Sequence, residues 1–386
     1  MGVEAMLFAL IRSIICGEVI SEEVKNACTP ENLEAVYALA SKHDLAHLVG
    51  QAVSKLDLPE SEILTKCKQT AMQAVYRYVR LNHAYQQICQ TLEDAKIPFI
   101  PLKGSVLREY YPEAWMRTSC DIDILVRPAD LDRATQALIT ALGYTAGEKN
   151  GHDVSLFAPE GVHLELHYNL IEDERLPYSH KVLARYWDTA TPCPQKQYWL
   201  RVSDEMFYFY HLAHMAKHVE IGGCGIRTFL DLWVLDHCVD HAPEKREKLL
   251  NEGALIKFGK AAAQLSERWF SGAEDDALSV QFEGFILGGG TYGTLKNRVA
   301  MQQRKRNGRF RYALSRIFLP YHVIRHHYPV LETHKWLTPV FQVVRWFKLL
   351  FKGGVKRSVR ELRINASISQ DEQQNAENLL TYLGLE

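Results

Sequence analysis

Residues Asp121-Ile122-Asp123-Ile124 alternate acid and aliphatic side chains, and Leu125-Val126 extend the run. A period of two belongs to a strand and cannot be accommodated by a helix. Residues two apart on a strand share a face, so Asp121 and Asp123 point one way while Ile122 and Ile124 pack behind them. Two neighbouring carboxylates on one strand face repel each other unless a cation stands between them. The chain must therefore build a sheet here, with a core beneath it and an acidic face above.

The flanking segments supply the other strands. Residues 97–102, IPFIPL, form a short apolar run with two prolines, which predicts an edge or early strand. That run ends at Lys103-Gly104-Ser105, and VLREYY then opens like a helix. PADLDRATQALITALGY has helical spacing, while GHDVSLFAP and GVHLELHYNL read as two strands turning at Pro159-Glu160-Gly161. Glu165 on the second of these adds a third carboxylate, making an oxygen-rich site suited to Mg²⁺, with Mn²⁺ as the alternative ion. Two such ions can neutralise a triphosphate and stabilise a leaving pyrophosphate. Gly104 and Ser105 at a strand-to-helix turn offer backbone N–H groups and a hydroxyl to phosphates. Lys103 and Arg117 flank the acids as candidate phosphate cations. His163 and His167 share the face of Glu165, either to touch substrate or as ordinary hydrogen-bonded histidines.

In this order, Gly-Ser, Asp-x-Asp and a lone acid between apolar residues, the chain resembles the nucleotidyltransferase superfamily that includes DNA polymerase β. More narrowly, residues 101–144 resemble bacterial nucleotidyltransferase family proteins. Their shared features here are Lys103-Gly104, Arg117, Asp121-Ile122-Asp123 and Glu165-Leu166-His167. The resemblance implies transfer of an NMP from an NTP to a hydroxyl-bearing acceptor of unknown identity. Asp121, Asp123 and Glu165 would be both the catalytic and the metal residues. Lys103, Gly104, Ser105, Arg117, His167, His214 and Lys217 would contact the nucleotide. The 17 positions from Gly104 to Asp121 exceed the superfamily's usual spacing, so YYPEAW is expected to loop out. The alternatives are a non-catalytic NTP-binding or regulatory protein on the same fold, and an RNA-modifying nucleotidyltransferase.

The rest of the chain is helical in pattern. Apolar residues recur at helical spacing through residues 3–93 and again from 203 onward. The expected fold is α+β: a small mixed sheet with helices in residues 95–200, an N-terminal helical region in 1–94 and a C-terminal helical region in 201–386. Thr29 before Pro30 is a predicted N-cap. His211, His214 and His218 fall on one helix face with Lys217 beside them, placed to line a nucleotide cleft rather than to bind zinc. Arg227 and Asp231 are spaced for an ion pair within one helix. GGGTYGT at 288–294 follows a helix and lacks a Lys-Ser/Thr ending, so it reads as a flexible turn rather than a phosphate cradle.

Charge is distributed unevenly. Residues 296–363 hold 17 Lys/Arg against Glu332 and Glu361, a net +15, while residues 1–295 carry −12. The favoured expectation is that the basic region docks on the acidic remainder, ahead of nucleic acid or a membrane surface as its partner. The eight cysteines stand singly, without a C-x-x-C pair, which suits a reducing cytoplasm. MLFALIRSIICGEVI reads as an amphipathic helix rather than a signal peptide, and no run of 18 apolar residues occurs.

Overall fold

The computed structural model describes residues 1–385 apart from 171–175, 274–276, 306–308, 329 and 352–354. Five helices come first: α1 (Val3–Ile15), α2 (Glu22–Ala27), α3 (Pro30–Lys42), α4 (Ala46–Ser54) and α5 (Glu62–Asp94). Thr29 caps α3 by accepting from the Asn32 backbone N–H, with Pro30 at its first position. The sheet region then runs β1 (Phe99–Pro101), α6 (Gly104–Leu107), β2 (Asp121–Val126), α7 (Leu131–Leu142), β3 (Thr145–Lys149), β4 (Asp153–Phe157) and β5 (His163–His167). After it come α8 (Pro177–Leu183) and a two-residue ribbon of β6 (Thr191–Pro192) and β7 (Leu200–Arg201).

Among the described residues the main sheet has order β1-β2-β5-β4-β3. Only β2 and β5 pair in parallel; the other pairs are antiparallel, which makes the sheet mixed. The proline-bearing β1 lies at the sheet's edge, where missing N–H donors cost least. The β4–β5 hairpin closes at the anticipated turn, where the Ala158 N–H donates to the Val162 carbonyl and the Gly161 N–H to the Ala158 carbonyl. The sequence reading did not include β3. All five of its residues are exposed, so no buried face gives it an alternating pattern. It exists by bonding to β4, across a register shift.

Beneath the sheet, Ile122, Ile124, Leu164 and Leu166 pack on α7 and on the second half of α5, through Leu81, Ile88 and Leu92. The first half of α5 belongs to a larger core. There Ile63 and Leu64 join α1, α3 and α4 and three later helices: α9 (Asp204–Ile221), α10 (Ile226–His237) and α12 (Ile256–Ser271), with α11 (Pro243–Glu252) alongside. Phe8 of α1 stacks on Trp269 of α12 at 5.0 Å. The N-terminal and C-terminal helices thus share one core, and α5 carries it to the sheet.

The remaining helices are α13 (Ala277–Leu287), α14 (Leu295–Lys305), α15 (Arg309–Ile317), α16 (Tyr321–His327), α17 (Val330–Thr333), α18 (Thr338–Phe351), α19 (Val355–Ser367) and α20 (Gln370–Leu383). The first basic helix, α14, packs against α9. Among the described residues, the bases of 296–363 form ion pairs through Lys296 with Glu372 and Arg316 with Glu361, both acids of the C-terminal region itself. No helix among the described residues is long and apolar enough to cross a membrane.

Helices α4 and α5 cross closely at Gly50. A Cβ on Gly50 would lie 2.1 Å from the Cys67 carbonyl oxygen, far inside contact distance. Gly50→Ala is therefore expected to lower stability by about 1–3 kcal/mol by forcing the helices apart. The midpoint of urea unfolding reads this directly, and an unchanged midpoint would contradict so tight a crossing.

Candidate active site

The parallel pairing of β2 with β5 sets Asp121 beside His163 and Asp123 beside Glu165, with Leu125 beside His167. The alternation seen in the sequence thereby becomes a cluster. Asp121, His163 and Glu165 bring one ligand atom each within 4.8 Å of one another, and so do Asp123, Glu165 and His167. Glu165 is common to both trios.

Lys103 reaches this cluster from the turn between β1 and α6. Its ammonium lies 2.6 Å from Asp123 and 3.9 Å from Glu165. The residue has φ +45°, a conformation non-glycine residues rarely adopt, held by bonds from the Val106 and Leu107 N–H groups to its carbonyl. Burial alone would lower the lysine pKa, but Asp123 outweighs it and holds the ammonium charged well above its usual range. Burial would likewise raise Asp123, yet Lys103 and the 2.8 Å bond from His167 keep it well below the usual carboxylate range. Asp121 has no such partner. Its burial, then Asp123 and Glu165, raise its pKa, so the free site is strained by like charge.

The donor set suits a divalent cation. Three carboxylates provide hard oxygen ligands, and burial makes their mutual repulsion costly until a cation is present. Among the described residues His163 Nε2 is buried with no hydrogen-bond partner, although its ring stacks on Phe157 at 4.8 Å. His163 also offers a ring nitrogen within 4.8 Å of an oxygen of Asp121 and of Glu165, so it adds to a donor set that fits a divalent ion.

Across the cleft stands α9. His214 and His218 are half-buried there and hydrogen-bonded to each other at 3.0 Å. Burial pushes both below the ordinary histidine range, His218 to about 4, and the nearby Lys217 and Lys103 charges push them further. His214 thus lies on a side of α9 that feels Lys103 and Asp123, with Lys217 near both histidines. His211 turns away and bonds the Thr228 carbonyl.

Three expectations need correcting. Arg117 is not free for phosphate: it is buried, and its Nε and Nη2 donate to Asp231 at 2.6 and 2.9 Å. Asp231 accordingly does not serve Arg227, which pairs with Asp44. Asp231 takes Arg117 instead because the segment leading into β2 reaches α10 from outside that helix, which periodicity along α10 does not reveal. Ser105 is buried and its backbone N–H donates to the Leu102 carbonyl, so that donor is already engaged within the turn. Gly104 instead makes room: a Cβ there would stand 3.2 Å from Arg117 Nη1. The segment YYPEAW does loop out, through turns of 3₁₀ helix at 108–110 and 114–116.

Two further site residues went unrecognised. Tyr210, buried on α9, feels Lys103, Asp123 and Glu165. Tyr292, exposed on the Gly-rich turn, has its hydroxyl in the fields of Asp121 and Glu165 and its ring 6.2 Å from His218. That turn is not loose. A Cβ on Gly293 would lie 1.9 Å from the Gly222 carbonyl oxygen, and Thr291 bonds the Lys42 carbonyl through both N–H and hydroxyl. The glycines there serve close backbone packing, and the tyrosine between them was the signal.

A family model described as an uncharacterised nucleotidyltransferase matches residues 29–269, more than half of the chain. The chain belongs to that nucleotidyltransferase family. No curated protein and no solved structure matches it. The match spans the whole acidic cluster, α9 and the Arg117–Asp231 pair, while Tyr292 lies beyond its end.

The Arg117–Asp231 pair ties β2's approach to α10, with Tyr111 donating to Asp231 at 2.7 Å. Asp231→Asn would leave a buried guanidinium without its counter-charge, and a loss of about 3–5 kcal/mol in stability is expected. Urea unfolding of variant and parent measures it. A loss below ~1 kcal/mol would mean that water, not Asp231, satisfies Arg117.

Proposed function

We propose that the chain transfers an NMP from an NTP to a hydroxyl-bearing acceptor by a polymerase-β-type two-metal reaction. The observation that carries this reading is the parallel β2–β5 register. It puts Asp123 beside Glu165 and Asp121 next to both, with Lys103 bridging two of the three acids.

Asp121, Asp123 and Glu165 would hold Mg²⁺, or Mn²⁺ in its place. When bound, such ions neutralise the triphosphate and acidify the acceptor hydroxyl. The chain's own groups account for the rest. Lys103, already charged and poised beside Asp123, is placed to turn from carboxylate to phosphate oxygen as the nucleotide enters. His167 holds Asp123 in place and keeps its oxygens aimed into the cleft. Glu165, half-buried and on a different strand from the aspartates, orients the acceptor hydroxyl and accepts its proton. The acceptor oxygen bonds to the α-phosphorus as the bond to pyrophosphate breaks. His214, Lys217 and Tyr292 line the opposite wall, where the tyrosine offers an aromatic face.

Asp121→Asn and Asp123→Asn should each abolish metal-dependent NTP binding while circular dichroism stays unchanged. Titration of each NTP with and without Mg²⁺ tests this, and parental affinity in either variant would remove that carboxylate from the site. Glu165→Gln should lower turnover by roughly 100-fold or more with little change in NTP affinity. A near-parental rate would exclude Glu165 from proton transfer. Incubating each labelled NTP with cell extract locates the acceptor by whether label enters protein, RNA or small molecules. Tight NTP binding without any transfer would favour a regulatory protein on the same fold instead.

A further inference from the structure

Helix α15 has its apolar side outward. Phe310, Leu314 and Ile317 follow at i, i+4 and i+7 and are all exposed, Phe310 by 75%. Tyr312, on the opposite side, is fully buried and donates its hydroxyl to Glu361. Helix α18 repeats the pattern: Val340, Val343 and Phe347 lie on one stripe and are exposed, Phe347 by 57%. A surface helix normally hides such a stripe against the core. The two helices are joined where Arg345 and Trp346 donate to the Ile317 carbonyl and Phe318 meets Trp346 edge-on at 5.2 Å.

Basic residues surround these stripes. Arg311, Lys335 and Lys348 are exposed, within a region of net charge +15. We propose that α15 and α18 form a surface that lies on an anionic lipid bilayer, with the apolar stripes in the interface and the bases at the headgroups. Charge complementarity selects the partner: an apolar stripe rimmed by cations fits a negatively charged bilayer face. RNA fits less well, because the two stripes themselves hold Leu314, Ile317, Val340 and Val343, which offer no ring on which a base could stack, between Phe310 and Phe347. Since no described helix can span a bilayer, the contact is peripheral.

The test uses the full chain and sedimentation with vesicles of phosphatidylcholine, alone or with phosphatidylserine. Binding is expected to the phosphatidylserine vesicles only, and to fall steeply between ~0.05 and ~0.5 M salt. The double variant Val343→Glu/Phe347→Glu should weaken it about tenfold or more, because both side chains are exposed and their loss disturbs no core. The double variant Lys335→Glu/Lys348→Glu should weaken it as well, through charge alone. Equal binding to neutral vesicles, or none to anionic ones, would overturn the proposal. So would RNA binding that resists Val343→Glu/Phe347→Glu, or a dimer in sedimentation velocity that this variant dissolves, since a second copy would then cover the face.

Discussion

Repulsion among three carboxylates is the constraint around which the central part of this protein is arranged. Pairing β2 with β5 in parallel brings Asp121, Asp123 and Glu165 onto one patch, and burial there raises the cost of every uncompensated charge. Lys103 and His167 compensate Asp123, while Asp121 is left with a raised pKa and no cation of its own. The asymmetry has chemical content. A site fully neutralised by protein cations would have little affinity for metal, and one with none would not stay folded at neutral pH. Lys103 gives the patch enough positive charge to form, from a backbone conformation that only the surrounding turn can hold.

That arrangement depends on the helices around it. Arg117 and Asp231 fasten the entry to β2 onto α10, Tyr111 adds a third group, and Gly104 lacks the Cβ that would press on the guanidinium. On the other wall, α9 and the turn at 288–294 are packed backbone to backbone through Gly222, Gly223 and Gly293. Such contacts place His214, His218 and Tyr292 with little freedom to drift. Because α5 runs from the helical core to the underside of the sheet, both walls refer to one frame.

The C-terminal helices treat charge and apolar surface differently. Around the cleft, Asp123, Lys103, Arg117 and Asp231 are ionic groups paired with one another or with His167; on α15 and α18, Arg311 and Lys348 are exposed beside uncovered aliphatic and aromatic side chains. A domain seeking only stability would turn those stripes inward, so their exposure calls for a partner outside the chain. Cleft and outer surface are then separable, and each can fail without the other.

Much of this was legible in the sequence because it is local. The alternation of Asp121 to Ile124, the prolines flanking β1, the hairpin at 159–161 and the Thr29 cap all follow from rules that act within a few residues. The acidic trio could be assembled from them, since strand periodicity fixes which side chains share a face. What the sequence could not supply were partners chosen across long separations. Arg117 and Asp231 stand 114 positions apart, and helix spacing offered Arg227 for Asp231 instead. The exposed strand β3 has no pattern because its existence depends on β4's free edge. Tyr292 gained its place only when glycines far apart in the chain met. The direction in which α15 and α18 face was equally hidden: amphipathicity states that a helix has two sides, and tertiary packing decides which of them is covered.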